Sequence, residues 1–247
     1  MTLAEHLEEL RRRLGRMLAA WLLAIGLSWT QADRLIAWLK RPGEPLLPHL
    51  VFVSPTEPLM AYLTVTMLAG VLFSMPVMLW QVWAFIRRGL TPRERTLGAT
   101  FVWWGSLRFA AGVAVAYYGM LPVSLHYLLG IGRGTLEPMV SISTYLSFVT
   151  TMMGWCGLIF ELPLALWVLA RVGIVTSEWL RQQRPYAILV LVILAAIITP
   201  TTDPINLLLM TIPMILLYEV SILITRVAIR RRPPSSTVHG PPSTVNN

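Results

Sequence analysis

The sequence predicts an all-α integral membrane protein with six transmembrane helices and both termini on the cytoplasmic side. Three observations carry this. Mean hydropathy is +0.64, with 55% apolar and only 13% charged residues, more apolar surface than a water-soluble domain of 247 residues could bury. Apolar runs recur along the chain at about the length a bilayer core of ~30 Å requires. Three quarters of the basic residues fall on one side of the alternating runs, as the positive-inside rule demands.

The apolar windows are Leu14–Trp29, Tyr62–Ile86, Leu97–Leu121, Tyr145–Ala170, Tyr186–Ile198 and Ile205–Ile224. A run of about 25 residues crosses the core with tilt, whereas Tyr186–Ile198 reaches only about 20 Å at about 1.5 Å per residue. The fifth and sixth spans are both expected to be compact, and the bilayer beside the fifth to thin. Arg11, Arg12 and Arg13 precede the first span and Arg16 lies in its first turn; Arg87, Arg88, Arg93 and Arg95 follow the second; Arg171, Arg181 and Arg184 follow the fourth; Arg226, Arg230, Arg231 and Arg232 follow the sixth. These are fifteen of the twenty basic residues. Arg34, Lys40, Arg41 and Arg133 fall on the other side, and Arg108 lies inside the third span. The net charge of +8 therefore reflects topology, and its scatter over short segments argues against nucleic-acid binding.

Ahead of the first span, Leu3, Leu7, Leu10 and Leu14 form one apolar stripe, and Thr2 with Glu5 has capping-box spacing, which predicts an interfacial helix. No cleavable signal is expected, because Glu5, Glu8 and Glu9 precede the first run and no small-residue cleavage site follows Trp29. The longest connection, Gln31 to Ala61, contains an amphipathic piece (Leu35, Ile36, Trp38, Leu39) followed by Pro42, Pro45, Pro48, Pro55 and Pro58, a stiff cap. Thr91, Pro92 and Glu94 read as N-cap, first position and capping-box acid of the third span. Residues 1–230 are expected to form one transmembrane domain, and the polar, proline-rich residues 231–247 a disordered cytoplasmic tail.

Chemistry-bearing residues are few. Cys156 is the only cysteine, which excludes an intrachain disulfide, and His6, His49, His126 and His239 are dispersed without metal spacing. There is no phosphate-cradling loop, so neither a metal enzyme nor an ATPase is indicated, and no cofactor is expected. Glu8 and Glu9 lie off the leucine stripe and can pair with arginines three or four residues on. Glu161 lies inside the fourth span two residues before Pro163; an ionisable group at that depth is a candidate functional residue by its cost alone. Arg108 and Glu161 fall at matching depths of about 16 and 14 Å from the same side, so an intramembrane ion pair is expected, against the alternative that Arg108 snorkels or meets a lipid phosphate. Asp203 before Pro204 is placed to cap the sixth span.

Several motifs occur in order: HLEELRRRL at His6–Leu14, Ser54-Pro55-Thr56-Glu57-Pro58, Gln81-Val82-Trp83-Ala84-Phe85-Ile86, the Glu94 turn, Ala116-Tyr117-Tyr118 with Leu121-Pro122, Phe160-Glu161-Leu162-Pro163, Arg184-Pro185-Tyr186, Thr199-Pro200 with Asp203-Pro204, and Pro213 with Tyr218-Glu219. Their order and placement at span edges resemble the TatC family, the receptor subunit of the twin-arginine protein translocase. The resemblance implies no catalysis. It implies a receptor for signal peptides with two consecutive arginines, which brings folded cargo to a site driven by the proton gradient in the cytoplasmic membrane. It further implies single-span partner subunits, self-association, and a signal-peptide site at Glu9 and Glu94 with Arg11 and Phe85 beside them. Glu161 then belongs to a concave groove within the membrane, with Arg108 nearby, and Asp203 to a functional extracytoplasmic turn. Two fixed carboxylates would select Arg-Arg over Lys-Lys because guanidinium offers a planar fork of donors. Arg88, Thr64, Leu207 and Arg108 depart from the family's usual residues. A secondary transporter coupled through Glu161 and Arg108 is the alternative, although the halves of the chain show no inverted repeat.

Overall fold

The computed structural model describes residues 3–44, 46–47, 49–87, 98–131, 138–199, 201 and 203–230. Glu94, Thr91, Arg88 and the tail 231–247 lie outside the described residues, as do the cap residue Thr2 and the side chain of His6.

The described residues are helical, apart from connecting loops and one isolated parallel bridge between Val51 and Ser141. Leu3–Trp29 is one helix, α1, so the expected interfacial helix and first span are continuous. Nothing between Leu14 and Ala19 breaks it, since Gly15 meets no neighbour and costs only its own entropy. The leucine stripe (Leu7, Leu10, Leu14, Leu18, Leu22) faces outward, away from the packed helices. α2 (Ala32–Lys40) is the amphipathic piece of the cap and buries Ile36 and Leu39.

α3 (Glu57–Ile86) starts with Pro58 in its first turn and runs through Pro76. α1 lies along it: the Trp21 indole donates to the Met67 carbonyl at 3.2 Å, and Ile25 packs over Gly70. α4 (Gly98–Val115), a π-helical turn (Ala116–Met120) and α5 (Leu121–Gly130) form a second rod. α6 (Ile142–Ile159) is capped by the Ser141 hydroxyl, which accepts from the Thr144 N–H at 3.2 Å. α7 (Leu162–Val172) follows after a break at Phe160–Glu161, because Pro163 has no N–H to continue the ladder. α7 ends at Gly173, whose φ of 87° only glycine adopts freely, and Ile174 N–H closes the turn on the Leu169 carbonyl. Ser177–Gln182 (α8), Arg184–Ile198 (α9) and Pro204–Arg230 (α10) complete the chain.

Four stretches are long and apolar enough to cross a membrane: Glu57–Ile86, Gly98–Gly130, Ile142–Val172 and Pro204–Arg226. α1 is long but carries four arginines, and α9 is apolar but has only 15 residues, or about 22 Å. The fifth window is a short helix, as expected, whereas the compact sixth is corrected: α10 has 27 residues, because its helix continues past the apolar window through arginine, a good helix former.

α4 crosses α6 at Gly112 and Gly157, and α3 packs on both. At the edge opposite the arginine-rich one, the Tyr117 ring stacks on Trp38 with centroids 3.9 Å apart, and its hydroxyl donates to the Trp38 carbonyl at 2.7 Å. The Tyr145 hydroxyl donates to the Leu39 carbonyl at 3.0 Å. These two phenols tie α2 to the spans, a role the sequence did not announce. At the arginine-rich edge Arg184 donates to Glu219 at 2.6 Å, and the Tyr218 hydroxyl to the Leu180 carbonyl at 2.8 Å, fastening α8 and α9 to α10.

A membrane groove ending at Glu161

A groove of about 730 Å³ opens between α3, α4, α6 and α7. Phe85, Ile86, Val172 and Ile174 form its end at the arginine-rich edge; Met75, Leu79 and Leu164 lead inward; Glu161 is its polar residue. About eleven residues from the ends of both α3 and α7, Met75 and Glu161 sit roughly 16 Å inward. Glu161 Oε2 lies over Gly105 of α4, where an added Cβ would come within 3.5 Å of it. Both its carboxylate oxygens are buried, and neither has a hydrogen-bond partner among the described residues. An unpaired carboxyl in an otherwise apolar groove costs several kcal/mol, so its position calls for a visitor or a proton.

The expected ion pair with Arg108 is not formed. The two charges are near enough to act on one another, but Arg108 points into a separate hollow bounded by Thr100, Trp104, Pro163, Trp167 and Ile224. Phe101 and Leu164 line both cavities and stand between them. Equal depth placed the residues at one level; the direction around the helices sends them to opposite sides of the α4–α7 contact.

Of the residues singled out from the sequence, Phe85 and Glu161 thus share one groove. Glu9 is elsewhere on the arginine-rich edge, on α1, with its side chain only 12% exposed. The Arg13 Nε donates to Glu9 Oε1 at 2.8 Å, and Arg13 Nη2 contacts the same oxygen. Arg11 is exposed and lies 3.8 Å from Glu8, which is exposed as well. The local pairs anticipated for these glutamates are therefore present, and they separate a shielded carboxylate from an open one.

Residues 5–213 match the profile of the family described as Sec-independent protein translocase protein (TatC). The chain belongs to the TatC family. The TatC proteins of Carboxydothermus hydrogenoformans and Aquifex aeolicus are each 36% identical to it, over 92% and 94% of this chain and 93% and 98% of their own lengths. A crystal structure described as the twin arginine translocase receptor TatC superposes with a TM-score of 0.82 at 35% identity, covering 91% of this chain and all of that one. A TatC protein is a membrane component of protein transport rather than an enzyme.

At the far edge of this TatC chain, Asp203 caps α10, accepting from the Asn206 backbone N–H at 2.8 Å. The Asn206 side chain, fully buried, donates to Asp203 Oδ2 at 2.8 Å and to the Thr201 hydroxyl at 2.9 Å, and its carbonyl accepts from Ser124 of α5. Partial burial pushes the Asp203 carboxyl up, but the donors on Asn206 and Thr201 outweigh it and hold it below the ordinary aspartate value. Asn206 and Ser124 were missed in the sequence; a carboxamide three residues into an apolar span was the available signal. Asn206→Leu should lower stability by about 1–3 kcal/mol by stranding its buried partners. The contribution of Asp203 is complete above the ordinary aspartate value and is lost as pH falls through its lowered one. Thermal unfolding in detergent across that acid range should show the loss in the parent and not in Asp203→Asn; parallel curves would remove the carboxylate from the cap.

Proposed function

We propose that this protein is the signal-peptide receptor and core subunit of a twin-arginine translocase, exporting folded proteins across the cytoplasmic membrane on the energy of the proton gradient. The observation that carries the reading is the apolar groove that leads from Phe85 at the arginine-rich edge to Glu161, in a chain of the TatC family. In this reading residues 1–230 form one domain of six spans with both termini cytoplasmic, α1 and the short α9 being the first and fifth spans beside the four long apolar stretches. Glu9 and Glu94 hold the arginine pair, with Arg11 and Phe85 beside them. The apolar stretch of the peptide then has a lipid-side path along the groove, and Glu161 marks its inner end. Arg108 lines the neighbouring hollow, and Asp203 shapes the extracytoplasmic turn. The partners are twin-arginine signal peptides, single-span translocase subunits and further copies of this chain, and the short α9 thins the adjoining bilayer at a cost of fractions of a kcal/mol per Å.

The test is retention of a twin-arginine signal peptide by the detergent-purified protein, with a photo-reactive residue in place of Val168 in the groove. The Arg-Arg peptide should be retained and crosslinked, and its Lys-Lys counterpart should not. Equal retention of the two would remove the receptor reading.

A further inference from the structure

We propose that the hollow between α4, α7 and α10 is a binding site for an anionic phospholipid, with the lipid phosphate on Arg108. The hollow, about 290 Å³, is lined by Thr100, Trp104, Arg108, Trp167 and Ile224 among others. Arg108 is half-buried, makes no hydrogen bond or ion pair among the described residues, and lies ten residues, or about 15 Å, into the span from Gly98. A guanidinium at that depth requires an anion or water, and it extends its long side chain toward the nearer interface to find one.

The surroundings favour a lipid. Thr100, Trp104 and Arg108 follow one another at four-residue spacing along α4, and Pro163, Trp167 and Arg171 do so along α7, which runs the opposite way. The two indoles therefore flank one track, with Arg108 at its inner end and Arg171 at its mouth. The Arg171 guanidinium carbon stands 5.2 Å from the centre of the Trp167 ring, the arrangement of a cation held against an aromatic face. Trp104 is more than half exposed, so the track is open sideways to lipid. A phosphate at the arginine-rich edge is met by Arg171 and by Arg108, whose long side chain can lean back toward the start of α4 past the indoles, while the acyl chains run inward from there. A partner helix, about 10 Å across, does not fit a hollow of this volume. Basic pockets between spans at such an edge suit acidic headgroups.

Native mass spectrometry of the delipidated protein, titrated with dioleoyl phosphatidylglycerol or phosphatidylcholine, tests the site. The parent should retain phosphatidylglycerol about fivefold more tightly, the effect of one cation on an acidic lipid. Arg108→Gln should lose that preference while keeping the parent's elution volume and helicity, since the guanidinium makes no hydrogen bond or ion pair among the described residues. Arg108→Lys should keep part of it. Ile224→Trp, which fills the hollow and leaves the charge, should also lose the lipid, so the site can be judged even if an Arg108 variant folds poorly. Unchanged preference in Arg108→Gln or in Ile224→Trp overturns the proposal, as does displacement of the lipid by millimolar inorganic phosphate.

Discussion

Gly112→Val should leave the protein largely unfolded or unassembled in the membrane, with a loss of about 3 kcal/mol, the upper part of the range for overpacked cores. A Cβ at Gly112 would sit 2.7 Å from the Cys156 carbonyl oxygen and 2.9 Å from Gly157 Cα. Those are backbone atoms and cannot rotate away. α4 and α6 would have to part, and the contact that parts also carries Phe109 and Val113 against Gly157. In a membrane, where water does not press helices together, such close backbone approach is a main source of helix association. Gly26, with no atom within 4 Å of an added Cβ, supplies the comparison: Gly26→Ala should be neutral or stabilise by up to about 1 kcal/mol. Thermal unfolding of the two variants in the same detergent decides it, and equal midpoints would mean that the α4–α6 crossing is not tightly packed.

Glu9→Ala should weaken binding of a twin-arginine signal peptide by at least about tenfold, while Glu8→Ala changes it little. A charge-assisted hydrogen bond is worth about 1.5–3 kcal/mol, and each 1.4 kcal/mol is about tenfold. That scale applies to a carboxylate shielded from water, as Glu9 is at 12% exposure; Glu8 at 58% belongs with exposed pairs worth about 0–1 kcal/mol. The helix should survive either change, because an i, i+4 pair such as Glu9–Arg13 contributes only about 0.2–0.5 kcal/mol. Anisotropy of a labelled peptide gives both affinities. Equal losses for the two variants, or none for Glu9→Ala, would take Glu9 out of the site.

What could be read in the sequence followed from properties that a linear pattern records. The amphipathic Leu35–Leu39 piece became α2, and Asp203 before Pro204 gave a cap, with its bond to Asn206 observed. Glu161 stood out because a charge in an apolar run is visible wherever it occurs. The groove was not legible, because its walls come from four helices that are apolar on nearly every side, so composition does not say which side opens. Arg108 and Glu161 failed as a pair for a related reason: counting residues gives depth, and only packing gives direction. The length of α10 was underestimated because hydropathy ends at the interface while helix-forming arginines continue past it.

The π-helical turn at Ala116–Met120 has a consequence at a distance. It holds one residue more than the same length of α-helix, and one residue corresponds to about 100° of rotation. It is a phase shifter between α4 and α5: upstream, Gly105, Phe109 and Gly112 keep register with α6 and α7; downstream, Ser124 is turned to meet Asn206 of α10. The two halves of the rod can thus satisfy different neighbours although they share one axis. Every residue from Leu121 to Gly130 inherits its outlook from that single extra step, so the polar lock at the far edge of the membrane is timed by a turn several residues earlier in the chain.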